Sequence, residues 1–149
     1  MIMAYTVVNE HKIQIGDVTI QLNKETVLHK IEQFNDKVFF STTPKEDDLD
    51  WKDVNTHKTW QVRCKENPSL LYAYHKNGNL AWQFPFPNVT GFEIELPEEK
   101  KTSEFISPEY YKDYLKKFKG KILLVIYVGD FIYKVDADTG EICGKSESH

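Results

Sequence analysis

The sequence lacks the features by which several classes of protein are recognised. No apolar run approaches the roughly 18 residues needed to span a bilayer, and the longest, 122–128, is typical of a buried strand. Residues 1–5 include neither a basic region nor a long apolar segment, so we expect no classical signal peptide. Cys64 and Cys143 are the two cysteines, and their separation indicates reduced, partly buried thiols rather than a disulfide. A cytoplasmic protein that does not associate with membranes is expected.

The chain also lacks a basic excess. It carries 19 Lys and Arg against 23 Asp and Glu, and the formal net charge of −4 argues against a nucleic-acid-binding protein. Seven Gly and six Pro exclude collagen-like and low-complexity classes. Nine Phe, eight Tyr and three Trp among 149 residues can build a core. We predict a single domain over 1–149, with a frayed tail at about 144–149.

Short alternating segments separated by turns dominate the chain. Apolar residues at every second position indicate strands with one buried face. The predicted strands are 11–15, 18–22, 26–33, 38–42, 60–64, 70–75, 79–84, 92–96, 121–128, 131–135 and 141–143. The spacing at 26–33 is ambiguous: a strand is favoured there, and a short helix is the alternative.

One segment, near 108–119, has the pattern of an amphipathic helix. Ser107 is a suitable N-cap, Pro108 suits the first helical position, and Gly120 suits the C-terminal end. Its apolar residues share one face, which we expect to bury Tyr114 and Leu115 against a sheet. The predicted fold is therefore mainly β, a β-rich α+β class with antiparallel meander sheets of hairpins and this one helix.

Two predicted hairpins have similar sequence patterns, which suggests an internal repeat. Residues 72–82 and 133–143 each contain an aromatic-led strand, a polar turn closed by Gly78 or Gly140, and a second strand. Glycine suits such a turn because a positive φ costs it little. We expect both glycines to have positive φ.

This repeated pattern resembles the outer hairpin of β-propeller blades in PQQ-dependent dehydrogenases and their non-catalytic relatives. Asp136, Thr139 and Gly140 match in the second copy, and Gly78 and Trp82 match in the first. The first copy departs from the pattern at position 75, where histidine replaces the usual aspartate, and the second has glycine at position 144 instead of tryptophan. Because a propeller has at least about four blades of about 40–50 residues, the resemblance implies one small domain of blade-like hairpins.

The same hairpin style resembles that of small uncharacterised bacterial proteins, some of which are immunity proteins for polymorphic toxins. That resemblance implies toxin neutralisation in the cytoplasm. The PQQ-binding residues of the enzymes have no counterparts in this sequence, so no cofactor is predicted.

Motifs for metal binding and catalysis are missing. The histidines form no His-x-His or His-x-x-x-His pair, neither cysteine has a partner at zinc spacing, and 136–141 departs from a calcium loop. No Gly-x-Ser-x-Gly occurs. We therefore expect no enzyme, no catalytic residue and no metal site, although a site assembled from distant residues stays open, with His57 as its most site-like histidine.

An acidic stretch with a central tryptophan is the candidate partner-binding surface. Carboxylates steer the encounter with a basic protein, and a tryptophan supplies buried contact area. The alternative is an ordinary solvated loop with Trp51 folded back on the core. The residues are Glu46, Asp47, Asp48, Asp50, Trp51 and Asp53.

The predicted function is therefore that of a non-enzymatic protein-binding domain whose partner is a basic protein such as a toxin. The alternative function is a small-molecule or sugar-binding β module that uses Trp60, Tyr74 and Trp82 on a sheet face. Edge strands in so small a sheet leave a homodimer open.

Overall fold

A computed structural model describes residues 3–99 and 107–147. Within these ranges the chain forms two α helices and eleven strands, and the predicted β-rich α+β class is confirmed. The helices are α1 (Thr56–Glu66) and α2 (Pro108–Phe118). The strands are β1 (Tyr5–Asn9), β2 (Lys12–Ile15), β3 (Val18–Gln21), β4 (Thr26–Phe34), β5 (Lys37–Pro44), β6 (Leu71–His75), β7 (Leu80–Gln83), β8 (Val89–Glu95), β9 (Leu123–Val128), β10 (Phe131–Asp136) and β11 (Ile142–Glu147).

The chain divides into two compact units, the first ending at Thr90 and the second beginning at Gly91. The first unit contains a three-stranded sheet, β1-β2-β3, and a four-stranded sheet, β4-β5-β6-β7, both antiparallel meanders. The ambiguous segment is strand β4, as favoured from its sequence. The prediction of a single domain over 1–149 stays a prediction.

The core of the first unit joins the two sheets. Ile13 and Ile15 of β2 pack with Val38 and Phe40 of β5, and all four are fully buried. This is the alternation expected at 11–15, because every second residue points into the core. Burial of each large apolar side chain contributes about 1.5–3 kcal/mol before entropy costs.

The second unit contains α2 and a four-stranded sheet in the order β11-β10-β9-β8, of which β8 begins two residues before the boundary between the units. The nearly all-apolar β9 is an interior strand, as predicted. The Ser107 hydroxyl accepts a hydrogen bond from the Tyr110 amide at 3.1 Å, which confirms the N-cap of α2. Tyr114 and Phe118 of α2 are buried with Leu123 of β9.

The two similar hairpins occupy equivalent places in their own sheets. β6 and β7 are the third and fourth strands of one meander, and β10 and β11 are the third and fourth of the other. Gly78 has a φ of 95° and Gly140 a φ of 79°, so both positive φ values are confirmed.

Three expectations are corrected. Trp60, Val62 and Cys64, whose alternation predicted a strand, lie in helix α1, so the chain has a second helix. Leu115 is only partly buried because Tyr114 and Phe118, four residues apart, form the inner face of α2. The tail expected to fray continues as β11 to Glu147, which pairs with Phe131, and 148–149 lie outside the described residues, as do 100–106 of the charged connection.

Gly78 is expected to tolerate no side chain. A Cβ there would lie 2.5 Å from Cγ2 of Val18 and 2.6 Å from the Ile15 carbonyl oxygen. Gly78→Ala therefore adds a clash to the backbone strain, and should cost about 1–3 kcal/mol of unfolding free energy in urea denaturation. Gly129→Ala is the control, because Gly129 has a φ of 57° with nothing within 4 Å of the added Cβ. Equal costs would contradict the close approach.

The buried face of α2 sets a second prediction. Phe118 is 5% exposed, so Phe118→Ala should lower the unfolding free energy by about 3–5 kcal/mol. Leu115→Ala, at a partly buried position on the same helix, should cost only about 1 kcal/mol. Denaturation of both variants, monitored by circular dichroism, measures the difference. A larger cost at Leu115 would mean that α2 is rotated about its axis.

Candidate functional site

The acidic segment, residues 45–55, connects β5 to α1. The carboxylates and the tryptophan of the predicted binding surface lie here and are all exposed: Glu46, Asp47, Asp48, Asp50, Trp51 and Asp53. No helix or strand covers the segment, so its shape depends on backbone turns and on side-chain hydrogen bonds.

Arg63 of α1 holds the segment in place. Its Nη1 donates to the Lys45 carbonyl oxygen at 2.7 Å and to Asp48 Oδ1 at 2.7 Å, and its Nη2 donates to Asp48 Oδ2 at 2.8 Å. The guanidinium hydrogen bonds lower the pKa of the Asp48 carboxyl to about 2. Asp48 therefore helps to hold the segment in its conformation, and Arg63 offsets the negative charge of Asp48.

Two local turns shape the rest of the segment. Asp50 Oδ1 accepts from the Lys52 amide at 3.0 Å, and Asp53 Oδ1 accepts from the Asn55 amide at 2.9 Å. Aspartate side chains stabilise turns in this way because they satisfy backbone donors two residues on. The Thr56 hydroxyl, at the start of α1, also donates to the Asp50 carbonyl oxygen.

Trp51 packs against α1 and lies outside the buried core, so it is not folded into the core as the alternative required. It is 46% exposed, and its ring meets His57 edge-on at 5.6 Å and Trp60 edge-on at 5.9 Å between centroids. Val54 in the same segment is 87% exposed. The segment thus presents an oriented aromatic ring and an exposed aliphatic side chain among carboxylates.

The three residues of the alternative ligand site are not brought together. Trp60 lines a cavity. Tyr74 stacks on Phe40, with ring centroids 5.6 Å apart. Trp82 is buried, and its ring centroid lies 6.1 Å from that of Phe39. Trp82 pairs with Ala73 across β6 and β7, so Tyr74 points to the opposite face of the sheet.

A polar cluster in the second unit was not predicted from the sequence. The Tyr114 hydroxyl donates to Glu95, and Lys134 Nζ lies 3.0 Å from Glu95 Oε2 and 4.4 Å from the centre of the Tyr114 ring. Burial and the carboxylate raise the pKa of Tyr114 well above its usual value, so the phenol stays protonated. These contacts tie α2 to β8 and β10. They join residues 19 and 39 positions apart, for which the sequence holds no signal.

The two cysteines are unpaired and partly buried, as predicted. Burial and the nearby charge of Glu46 raise the pKa of Cys64, which disfavours a reactive thiolate. Within residues 3–99 and 107–147, no group of three or more His, Cys, Asp or Glu side chains could hold a metal ion.

Comparison with known proteins adds no identity. No family model, curated protein or solved structure matches the chain. In the part of the chain that the structure describes, neither helix has the length and apolar composition of a membrane span. The fold and the acidic segment define a β-rich α+β protein with an exposed, internally braced anionic surface.

The Asp48–Arg63 ion pair predicts how the segment responds to pH. Because the folded-state pKa of about 2 lies below the usual value of 3.8, the pair stabilises the folded segment above about pH 4 and is lost as the pH falls through 2. Asp48→Asn should therefore lower the melting temperature modestly at neutral pH, since the pair is solvent-exposed. The difference from the wild type should shrink between pH 4 and pH 2 and vanish below pH 2, in melts followed by tryptophan fluorescence. A constant difference would show that the charge of Asp48 is not what matters.

Proposed function

We propose that this chain is a non-enzymatic, cytoplasmic protein-binding domain that recognises a basic protein through the acidic segment. The single observation that carries the proposal is an exposed tryptophan among carboxylates, on a segment that Arg63 holds through Lys45 and Asp48. Two unpaired cysteines are in keeping with a reducing compartment.

Preorganisation supports a binding role for Trp51. An exposed indole restricted by ring contacts with His57 and Trp60 loses little freedom when a partner covers it. Tryptophan is also enriched among the few residues that supply most of an interface's binding energy. Trp51 would therefore act as the anchor of the contact.

The remaining carboxylates support the choice of a basic partner. Glu46, Asp47, Asp50 and Asp53 are exposed and lie outside the bidentate pair with Arg63. Lys45 and Lys52 offset only part of this charge, and Lys45 Nζ lies 3.9 Å from Asp47 Oδ1. Clustered charge of one sign accelerates encounter with a surface of opposite sign.

Toxin neutralisation is the specific form of this proposal. A toxin that cleaves nucleic acid presents cationic residues to phosphates, and an anionic protein surface can cover those residues. The resemblance in hairpin style to small bacterial immunity proteins agrees with this role. Edge strands still leave a homodimer open as a second mode of association.

The structure gives less support to the alternative function, a small-molecule or sugar-binding module built from Trp60, Tyr74 and Trp82, than to protein binding. Tyr74 and Trp82 face opposite sides of one sheet, and only Trp60 among the three lines its cavity. A ligand could not contact the three rings together.

A capture experiment tests the protein-binding proposal. Wild-type protein, Trp51→Ala and the double variant Glu46→Gln/Asp47→Asn are immobilised, and proteins retained from the source cells are identified by mass spectrometry. We expect a basic protein that the wild type retains and that both variants lose. Equal retention by all three proteins would exclude the acidic segment as the interface.

Kinetics with the purified partner should separate the anchor from the charges. Trp51→Ala should raise the dissociation rate by about tenfold or more, because an anchor acts through buried contact. Glu46→Gln/Asp47→Asn should slow association and flatten its dependence on salt, because these side chains act at a distance. Surface plasmon resonance at two salt concentrations measures both effects.

The control is Glu109→Gln/Asp113→Asn, two exposed residues of α2 with the same change in net charge. It should alter association less than the double variant in the acidic segment. Asp48 is avoided because its substitution would release Arg63 and change the shape of the segment. An equal effect of both double variants would mean that net charge, and not this surface, drives the encounter.

A further inference from the structure

A cavity of about 260 Å³ lies in the first unit, and none of the carboxylates of the acidic segment lines it. Its walls come from β4, β5, α1, Ser69 before β6, and Asn88 with the first two residues of β8, all within the first unit. His29 and Asn88 line it and are themselves exposed, so the cavity is reachable from solvent. The volume is below the roughly 300–1,000 Å³ typical of sites for drug-sized ligands, and therefore suits a smaller molecule.

Two backbone irregularities occur at this cavity. The register between β4 and β5 slips between Leu28 and Lys30, which leaves His29 as the extra residue of a β-bulge. Asn88 has a φ of 65° and is one of two non-glycine residues in the described chain with a positive φ. Bulges redirect side chains, and left-handed residues cost energy, so both features are concentrated at functional sites.

Polar side chains make up five of the eight residues that line the cavity. Thr43, Ser69 and Thr90 provide hydroxyl groups and Asn88 an amide, all of which both donate and accept hydrogen bonds. The lining contains no Asp, Glu, Lys or Arg, and the raised pKa of Cys64 keeps its thiol neutral. A phosphate, carboxylate or ammonium group would lose hydration here without meeting an oppositely charged Asp, Glu, Lys or Arg side chain in the lining.

One wall of the cavity is aromatic. Trp60 is partly buried on α1, and its edge-on contact with Trp51 at 5.9 Å restricts the ring. A pyranose ring has faces of C–H groups that pack on an indole, and a rim of hydroxyls that donate and accept. Groups of both kinds line this cavity.

We propose that this cavity binds one ring of a neutral sugar, which packs on Trp60 and hydrogen-bonds to Asn88 and His29. The site uses none of the carboxylates proposed to meet a protein partner, so either proposal can fail alone. It also differs from a site built with Tyr74 and Trp82, which lie elsewhere on the sheet.

Saturation-transfer NMR on the full-length protein tests the proposal. The probes are D-glucose, D-galactose, D-mannose and N-acetyl-D-glucosamine, with glucose 6-phosphate and adenosine as a charged and a planar comparison. We expect transfer to at least one neutral sugar, strongest at the protons of one ring face. Glucose 6-phosphate should bind less well than that sugar.

Asn88→Gly is the decisive variant. Glycine adopts a φ of 65° readily, so the substitution removes the amide and leaves the backbone path unstrained. Loss of its hydrogen bonds should weaken binding of the sugar about fivefold to tenfold in calorimetric titration. Asn35→Gly is the matched control, because Asn35 also has a positive φ, of 52°, but lies in the β4–β5 turn and outside the cavity lining.

Trp60→Leu provides a second readout. It should weaken binding by about tenfold or more, because it removes the flat surface on which the ring packs. If that variant fails to fold, the pair of asparagine variants still decides the question. No transfer to any of the four sugars, tighter binding of adenosine or glucose 6-phosphate, or equal affinity in Asn88→Gly and Asn35→Gly would each overturn the proposal.

Discussion

Both faces of strand β5 are buried, and the arrangement of the first unit follows from that burial. A strand with no solvated face can satisfy its peptide groups only through neighbouring strands, and β5 pairs with β4 on one edge and β6 on the other. Val38 and Phe40 project toward β2 of the three-stranded sheet, whereas Phe39 projects toward Trp82 on the opposite face. Lys37 is the buried charge of the strand, and its Nζ lies 3.2 Å from the exposed Asp36. Loss of this strand would expose two apolar surfaces at once.

The end of β5 also positions the acidic segment. Pro44 has no amide hydrogen, so the ladder with β4 cannot continue through it in the usual way. The Lys45 amide still donates to the Glu25 carbonyl oxygen at 2.9 Å, which fixes the point where the segment leaves the sheet. Arg63 then holds Lys45 and Asp48 from the other side. The segment is thus restrained at both ends by the most buried strand and by a surface helix, and this restraint lowers the entropy that a binding partner would have to remove.

Sequence patterns predicted the elements whose burial has a clear period. Apolar residues alternate with polar ones along the β2–β3 hairpin, β9 is a short continuous apolar run, and α2 has both a recognisable cap and an apolar stripe. Helix α1 has no such stripe, because Thr56 is its only buried residue, and Trp60, Val62 and Cys64 happen to alternate. A run from 56 to 66 without Gly or Pro, closed by Asn67 and Pro68, is the local signal that could have indicated it. Because α1 was not predicted, its contacts were not predicted either: Arg63 reaches Asp48 because α1 folds back along the segment. The β-bulge at His29 is a separate feature, and the sequence gives no signal for it.

Helix α1 links the two surfaces to which functions are proposed. Its residue Trp60 touches Trp51 on the acidic segment and also lines the cavity that contains His29 and Asn88. One turn further on, Arg63 faces the segment and Cys64 faces the cavity. A ligand that shifts Trp60 must therefore alter the packing of Trp51. By thermodynamic linkage, any such effect on a partner's affinity is matched by an equal effect of the partner on the ligand. Because the acidic segment has no backbone ladder of its own, the side-chain contacts of α1 are the route by which the two surfaces would communicate.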